Sequence, residues 1–209
     1  MRFYDCETAP SPRRVRIFAA EKGIRLPTVP VDLANGEQFG AVYRRVNPEC
    51  VVPTLELDDG TCISEVVAIC QYLEELHPEP ALLGSTPTER ALVTMWNTKV
   101  EHQGLWPTAD AMRNVAKGLR GRALPGPDDY EQIPELAERG RERAAAFFAR
   151  LDNHLRDNEY VAGAVFSIAD ITALVTADFA GRLKITLPAA GSAFASWHQA
   201  VGNRPSAGA

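Results

Sequence analysis

Val52, Pro53, Glu65 and the segment Ala9 to Arg14 are the residues of this chain whose types and spacing suit chemistry. Val52-Pro53-Thr54-Leu55 reads as a strand entered through a proline, and Asp58-Asp59-Gly60 as the turn that follows it. Proline cannot donate to a sheet ladder, so Pro53 belongs at the strand's start. With a cis peptide bond before it, the N–H and C=O of Val52 face outward and can pair with another peptide backbone, as an added strand would. Ser64-Glu65 then opens a helix. Its carboxylate suits an ammonium, and the amides of a helix start suit a carboxylate. A peptide-like ligand carrying both groups fits this site. The alternative for Glu65 is a plain acidic residue at a helix start.

A sheet and several helices must hold these residues in place. Arg2 to Asp5 is read as a strand, and Pro12 to Lys22 as a helix with Val15, Ile17, Phe18 and Ala19 inward, ended by Gly23. Thr28 to Val31 is expected to lie parallel to the first strand through a βαβ crossover. The polar run Asn35-Gly36-Glu37-Gln38 and a short helical patch around Ala41 to Val46 come next. Pro53 to Leu57 and Thr61 to Ile63 form a hairpin, and Glu65 to Leu76 closes as a helix with Val66, Ile69, Cys70, Leu73 and Leu76 at helical spacing. The order gives an α/β thioredoxin-like domain over residues 1–77. Residues 78–88, with Pro78, Pro80 and Pro87, read as a linker.

Residues 89–209 read as an all-α helical bundle. A long helix is expected from Glu89 to about Gly118, with Leu92, Trp96, Val100 and Gln103 on one stripe and a kink at Pro107. After a proline- and glycine-rich loop, Leu136 to Leu155 carries Ala144, Phe147, Phe148, Leu151 and Leu155 on its apolar face. Ser167 to Arg182 begins with a capping box, Ser167-x-x-Asp170, with Phe166 and Ile171 at the staple positions. Asp170 is read as a tie in the core, not as a catalytic group.

Val52-Pro53 followed by Ser64-Glu65-Val66-Val67-Ala68-Ile69 resembles the glutathione-binding half of cytosolic glutathione S-transferases. The run Phe166-Ser167-Ile168-Ala169-Asp170-Ile171-Thr172 resembles that family's capped core helix, so the likeness spans nearly the whole chain. It implies glutathione as co-substrate, conjugated to small hydrophobic electrophiles by a detoxifying enzyme. Glu65 then meets the γ-glutamyl amine, the Val66 amide the γ-glutamyl carboxylate, Val52 and Pro53 the peptide backbone, and Gln38 the glycyl carboxylate. The electrophile is expected between the domains, near Trp106, Met112 and Tyr130, with Arg182 as a further cation. Each of these is equally readable as ordinary helix packing. The helix carrying Trp96 and Glu101 resembles the family's dimer-forming helix, so a homodimer is expected, with the domains of partner chains in contact.

Such enzymes turn a thiol into a thiolate. A cysteine thiol has a pKa of about 8.5, and lowering it by about two units takes about 2.7 kcal/mol. One or two hydrogen bonds to the anion, helped by a helix N-terminus, can supply that. The group must sit where the first strand meets the first helix. Thioredoxin-like redox proteins place cysteines at the first and fourth positions there; this chain has Ala9 and Pro12, which excludes dithiol chemistry. Many family members hold a serine, threonine or cysteine where Ala9 stands. Ser11 is the best replacement, read as an N-cap before Pro12 whose oxygen accepts an amide while its proton goes to sulfur. Thr8, Tyr4 and Cys6 are weaker candidates, and Arg13 and Arg14 read as a solvated face or as charges near the thiolate. Val66 is a second departure: the family usually has a serine there, and its hydroxyl is lost.

Composition narrows the rest. With 209 residues and a net charge of −5, the chain has room for two small cores and no basic face for nucleic acid or an anionic membrane. No secretory leader and no apolar run of about 20 residues is read, which suggests a cytoplasmic protein. The four cysteines form no C-x-x-C pair and the histidines are scattered, so no metal is expected. Two other readings stay open: glutathione-dependent reduction of peroxides or disulfides, and a non-catalytic binding or assembly protein. Ala9 and Val66 favour the latter; Val52-Pro53, Glu65 and Ser11 oppose it.

Overall fold

The computed structural model describes residues 1–209. Contacts divide the chain into two compact units, Met1–Pro80 with Leu124–Asp129 and Ala209, and Ala81–Ala123 with Tyr130–Gly208. The first holds β1 (Arg2–Asp5), α1 (Pro10–Glu21), β2 (Thr28–Pro30), a 3-10 turn (Glu37–Phe39), α2 (Ala41–Val46), β3 (Thr54–Glu56), β4 (Cys62–Ser64) and α3 (Val66–Leu76). The sheet order is β2-β1-β3-β4, parallel between β1 and β2 and antiparallel elsewhere. This is the thioredoxin-like arrangement the sequence implies. The inward faces of α1 and α3 follow their apolar spacing, with Val15, Ile17, Phe18, Ile69, Cys70 and Leu73 buried. Lys22 fastens the far end of these helices: its ammonium donates to the carbonyls of His77 at 2.6 Å and Pro80 at 2.7 Å and pairs with Glu74 at 2.6 Å.

Three expectations in this unit are corrected. α1 starts at Pro10, so Ala9 is the N-cap and Ser11 lies inside the first turn. Both prolines suit a first turn, because their fixed φ is helical and the missing N–H has no partner there anyway. Arg14 is buried rather than solvated. Leu76 is the helix's last residue and stays 48% exposed.

The second unit is helical throughout: α4 (Pro87–Val100), a π-helical turn (Glu101–Leu105), α5 (Trp106–Arg113), α6 (Pro134–Leu155), α7 (Ile168–Arg182) and α8 (Ala193–Gly202). α7 is buried on nearly every side and forms its core. The single long helix expected from Glu89 is instead three pieces. Pro107 has no N–H for the carbonyl four residues back, and the turn widens ahead of it so that the Trp106 N–H meets the Glu101 carbonyl. Val100 faces inward as expected, but elsewhere along α4 and the π-helical turn the buried residue is the one after that expected. Val93, Asn97, Val100 and Gly104 face inward, while Leu92 is 40% exposed. Asn97 is admitted because its Oδ1 accepts the Thr172 hydroxyl at 2.6 Å. Gly104 is required because a Cβ there would lie 2.8 Å from the Phe147 ring. Helix α8 has no counterpart in the sequence expectations, although Ser192 caps it and Phe194, Trp197 and Val201 are spaced to be buried.

Candidate functional site

The register of the sheet collects the predicted glutathione residues at one end of it. Tyr4 of β1 lies opposite Thr54 of β3, which in turn lies opposite Ser64 of β4. Pro53 and Glu65 follow directly beyond this row, one residue before β3 and one after β4. β1 ends there too, at Asp5, and the chain turns through Cys6 to Ala9 into α1. Arg16 shapes that turn: it pairs with Asp5 at 2.5 Å and donates to the Glu7 carbonyl at 3.0 Å, while the Ala9 N–H meets the Cys6 carbonyl at 3.0 Å. Pro10 and Pro12 lack an N–H. Ser11 therefore supplies the first turn's backbone donor as well as a hydroxyl, at the positive end of a 12-residue helix. Ala9 brings no side-chain hydrogen bond to this N-terminus. Tyr4, a weaker candidate, is engaged elsewhere and donates to Glu56 at 2.8 Å; Cys6 lies 3.5 Å from the Thr8 hydroxyl.

Val52-Pro53 is joined by a cis peptide bond, and β3 begins immediately after it. The N–H and C=O of Val52 have no partner within the chain. Glu65 is the N-cap of α3 and is held at φ 69° and ψ 127°, a region that costs a residue with a Cβ about 1–3 kcal/mol. That backbone presents the exposed Glu65 carboxylate at the end of the sheet while the Val66 side chain turns into the core. Gln38 sits in the 3-10 turn after β2, and its Oε1 is buried with no hydrogen-bond partner in the chain.

Two family models match the chain: the glutathione S-transferase N-terminal domain over residues 8–76 and the C-terminal domain over residues 99–205. Glutathione S-transferase 2 of Saccharomyces cerevisiae is 35% identical over 209 residues, covering 99% of this chain and 87% of that protein. The chain belongs to the glutathione S-transferase family. Among solved structures, a glutathione S-transferase domain-containing protein of Marinobacter aquaeolei superposes with a TM-score of 0.91 at 36% identity, covering 99% of both chains. Gtt2 from Saccharomyces cerevisiae superposes with a TM-score of 0.90 at 35% identity, covering 99% of this chain and 98% of that one.

The four residues expected near the electrophile all lie in the second unit. Trp106 and Met112 lie on α5, and Trp106 is 60% exposed with its ring 4.6 Å from that of His102. Tyr130 sits in the loop that precedes α6, exposed, its backbone bonded to Gly121 and Ala123. Arg182 ends α7 with its guanidinium 5.9 Å from the Phe179 ring. No hydrogen bond or ring contact joins any two of these four.

Asp170 is the tie that the sequence predicts. Its carboxylate accepts the N–H of Val161 at 2.9 Å, the Trp197 indole at 2.9 Å, and the Ser167 N–H and hydroxyl at 3.0 and 3.3 Å. Burial pushes its pKa up to about 6, against the pull of those donors. Sequence reasoning missed Arg16, Tyr43 and Asn47, which shape the loops at the sheet end. Tyr43 lies on α2 and Asn47 is its C-cap, four residues on and just ahead of Pro48, and that spacing was the available signal.

Proposed function

We propose that this chain conjugates the glutathione thiolate to small, hydrophobic electrophiles, working as a cytoplasmic homodimer in detoxification. The observation that carries the reading is the row at the sheet end: the unpartnered Val52 backbone beside Glu65, held as the N-cap of α3 in a left-handed conformation. Val52 and Pro53 take the cysteinyl backbone of glutathione as an added strand. Glu65 pairs with the γ-amine, the first amides of α3 hold the γ-carboxylate, and the Gln38 carboxamide meets the glycyl end. Sulfur then lies toward the first turn of α1. There the Ser11 hydroxyl donates to the thiolate and the helix N-terminus favours its charge. The thiolate attacks the electrophilic carbon, a C–S bond forms, and the leaving group departs with the bonding pair. Trp106, Met112, Tyr130 and Arg182 are proposed to surround the electrophile.

Calorimetric titration with glutathione, run on the wild type and Glu65→Ala, tests the binding half. A charged hydrogen bond is worth about 1.5–3 kcal/mol, so Kd should rise roughly 10- to 100-fold in the variant. Equal affinity in the two proteins removes Glu65 from the site. Ser11→Ala, assayed with an aryl halide electrophile, tests the activating half. It should lower turnover and move the alkaline rise of the pH–rate profile to higher pH.

The lack of any side-chain donor at Ala9 favours a second reading, a glutathione-binding protein without turnover. Wild-type binding with no conjugation of several electrophile classes would establish it.

A further inference from the structure

Behind the Val52 edge lies a buried polar cluster. Tyr43, Asn47 and Thr54 are 4%, 3% and 0% exposed. The Tyr43 hydroxyl donates to the Val51 carbonyl at 2.6 Å and lies 3.2 Å from the Thr54 hydroxyl. Asn47 Nδ2 donates to the same carbonyl at 2.9 Å and to Thr54 Oγ1 at 3.1 Å. Asn47 Oδ1 accepts the Glu49 N–H at 3.0 Å, and the Asn47 carbonyl accepts the Cys50 N–H at 3.0 Å.

The protons can be assigned in one consistent way. Tyr43 gives its proton to Val51, and Asn47 gives one to Val51 and one to Thr54. Thr54 gives its own to Tyr43. Every side-chain donor of the three residues is then used and each of their oxygens accepts one bond, which favours a single orientation of the cluster. Apolar residues of similar volume would leave the Val51 carbonyl and the Glu49 N–H without these partners, so the polar set ties the backbone on both sides of Val52 to one geometry.

What it fixes is the pair of residues between its two anchors. Val51 and Thr54 are held from inside, and only Val52 and Pro53 lie between them. The direction in which the Val52 N–H and C=O point is therefore set by Tyr43 of α2 and by Asn47, the residue that caps the end of that helix. We propose that Tyr43, Asn47 and Thr54 are positioning residues that govern glutathione affinity through the Val52 backbone and leave thiolate formation untouched. The inference rests on Val52 being the glutathione seat.

The experiment measures glutathione Kd, Tm, turnover at saturating glutathione and its pH profile for the wild type, Tyr43→Phe, Thr54→Val, Thr54→Ser and Lys22→Met. Tyr43→Phe and Thr54→Val should raise Kd by about five- to tenfold, the scale of one lost hydrogen bond, with turnover and pH profile unchanged. Thr54→Ser keeps the hydroxyl and should stay within about twofold of wild type. Lys22→Met loosens the same unit far from the sheet end, and should lower Tm without moving Kd. Wild-type Kd in a folded Tyr43→Phe, or an equal loss of affinity in Lys22→Met, overturns the proposal. If Tyr43→Phe does not fold, the Thr54→Val and Thr54→Ser pair decides. A folded wild type that gives no heat with glutathione overturns the glutathione seat itself, a different result from binding that ignores the cluster.

Discussion

At position 66 packing and ligand chemistry compete. The Val66 side chain is 5% exposed at the first turn of α3 and belongs to the core of its unit. A serine there would offer a hydroxyl to the γ-glutamyl carboxylate but would surrender buried apolar surface worth about 1–2 kcal/mol. Val66→Ser should therefore tighten glutathione binding by roughly tenfold while lowering Tm, read by titration and thermal melting of the same preparation. Unchanged affinity in a folded variant would show that the backbone amide alone suffices, and weaker binding would contradict the expected gain. Residues whose role follows from backbone chemistry were legible in the sequence: Pro53 as a strand start and Glu65 as a helix start needed only the rules of proline and of helix dipoles. The position of Ser11 in α1 was not legible. Two prolines offered two equally good helix starts, and only the fold around Asp5 and Arg16 selects Pro10. Tyr43 and Asn47 escaped because polar residues on and just after a short helix look solvated until their neighbours are known.

The elements show the same division. Helices α1, α3, α6 and α7 were readable because their buried faces are made of apolar side chains at helical spacing. α4 was misread by one residue because its buried stripe contains Asn97 and Gly104, which an apolar count assigns to the outside. The start of α7 was the clearest signal of all, and its energetics give a pH test. Burial raises the folded-state pKa of Asp170 to about 6 from the ordinary 3.8. The folded state thus holds this proton more tightly than the unfolded chain. Its contribution is full below the unfolded value and is lost as pH rises through about 6, by about 3 kcal/mol across the window. Denaturant unfolding of the wild type and Asp170→Asn at several pH values isolates this group. The wild type's advantage over the variant should shrink steadily from pH 4 to pH 7, while well below Tm the variant keeps its activity. An advantage that is constant or grows with pH contradicts the assignment.

For the whole molecule the open question is assembly. The chain carries a net charge of −5, so two copies repel at long range and any association must offset that repulsion at the contact. Most exposed large hydrophobic residues, such as Val42 and Val165, stand alone and need no partner. On α4, by contrast, Leu92 and Met95 are each 40% exposed and lie three residues apart on the face away from the buried Val93, Asn97 and Val100. A two-fold axis beside this helix would set the same patch against itself, so a single substitution acts twice. Met95→Glu would place two carboxylates in that contact, where like charges left unpaired cost several kcal/mol. Sedimentation equilibrium should give twice the chain mass for the wild type and the single-chain mass for Met95→Glu, with an unchanged helical spectrum showing that the variant is folded. A Lys22→Met control should remain dimeric, since its loss is internal to the first unit. A variant with the wild-type mass would move the contact off α4, and a monomeric wild type would remove the homodimer from the proposal altogether.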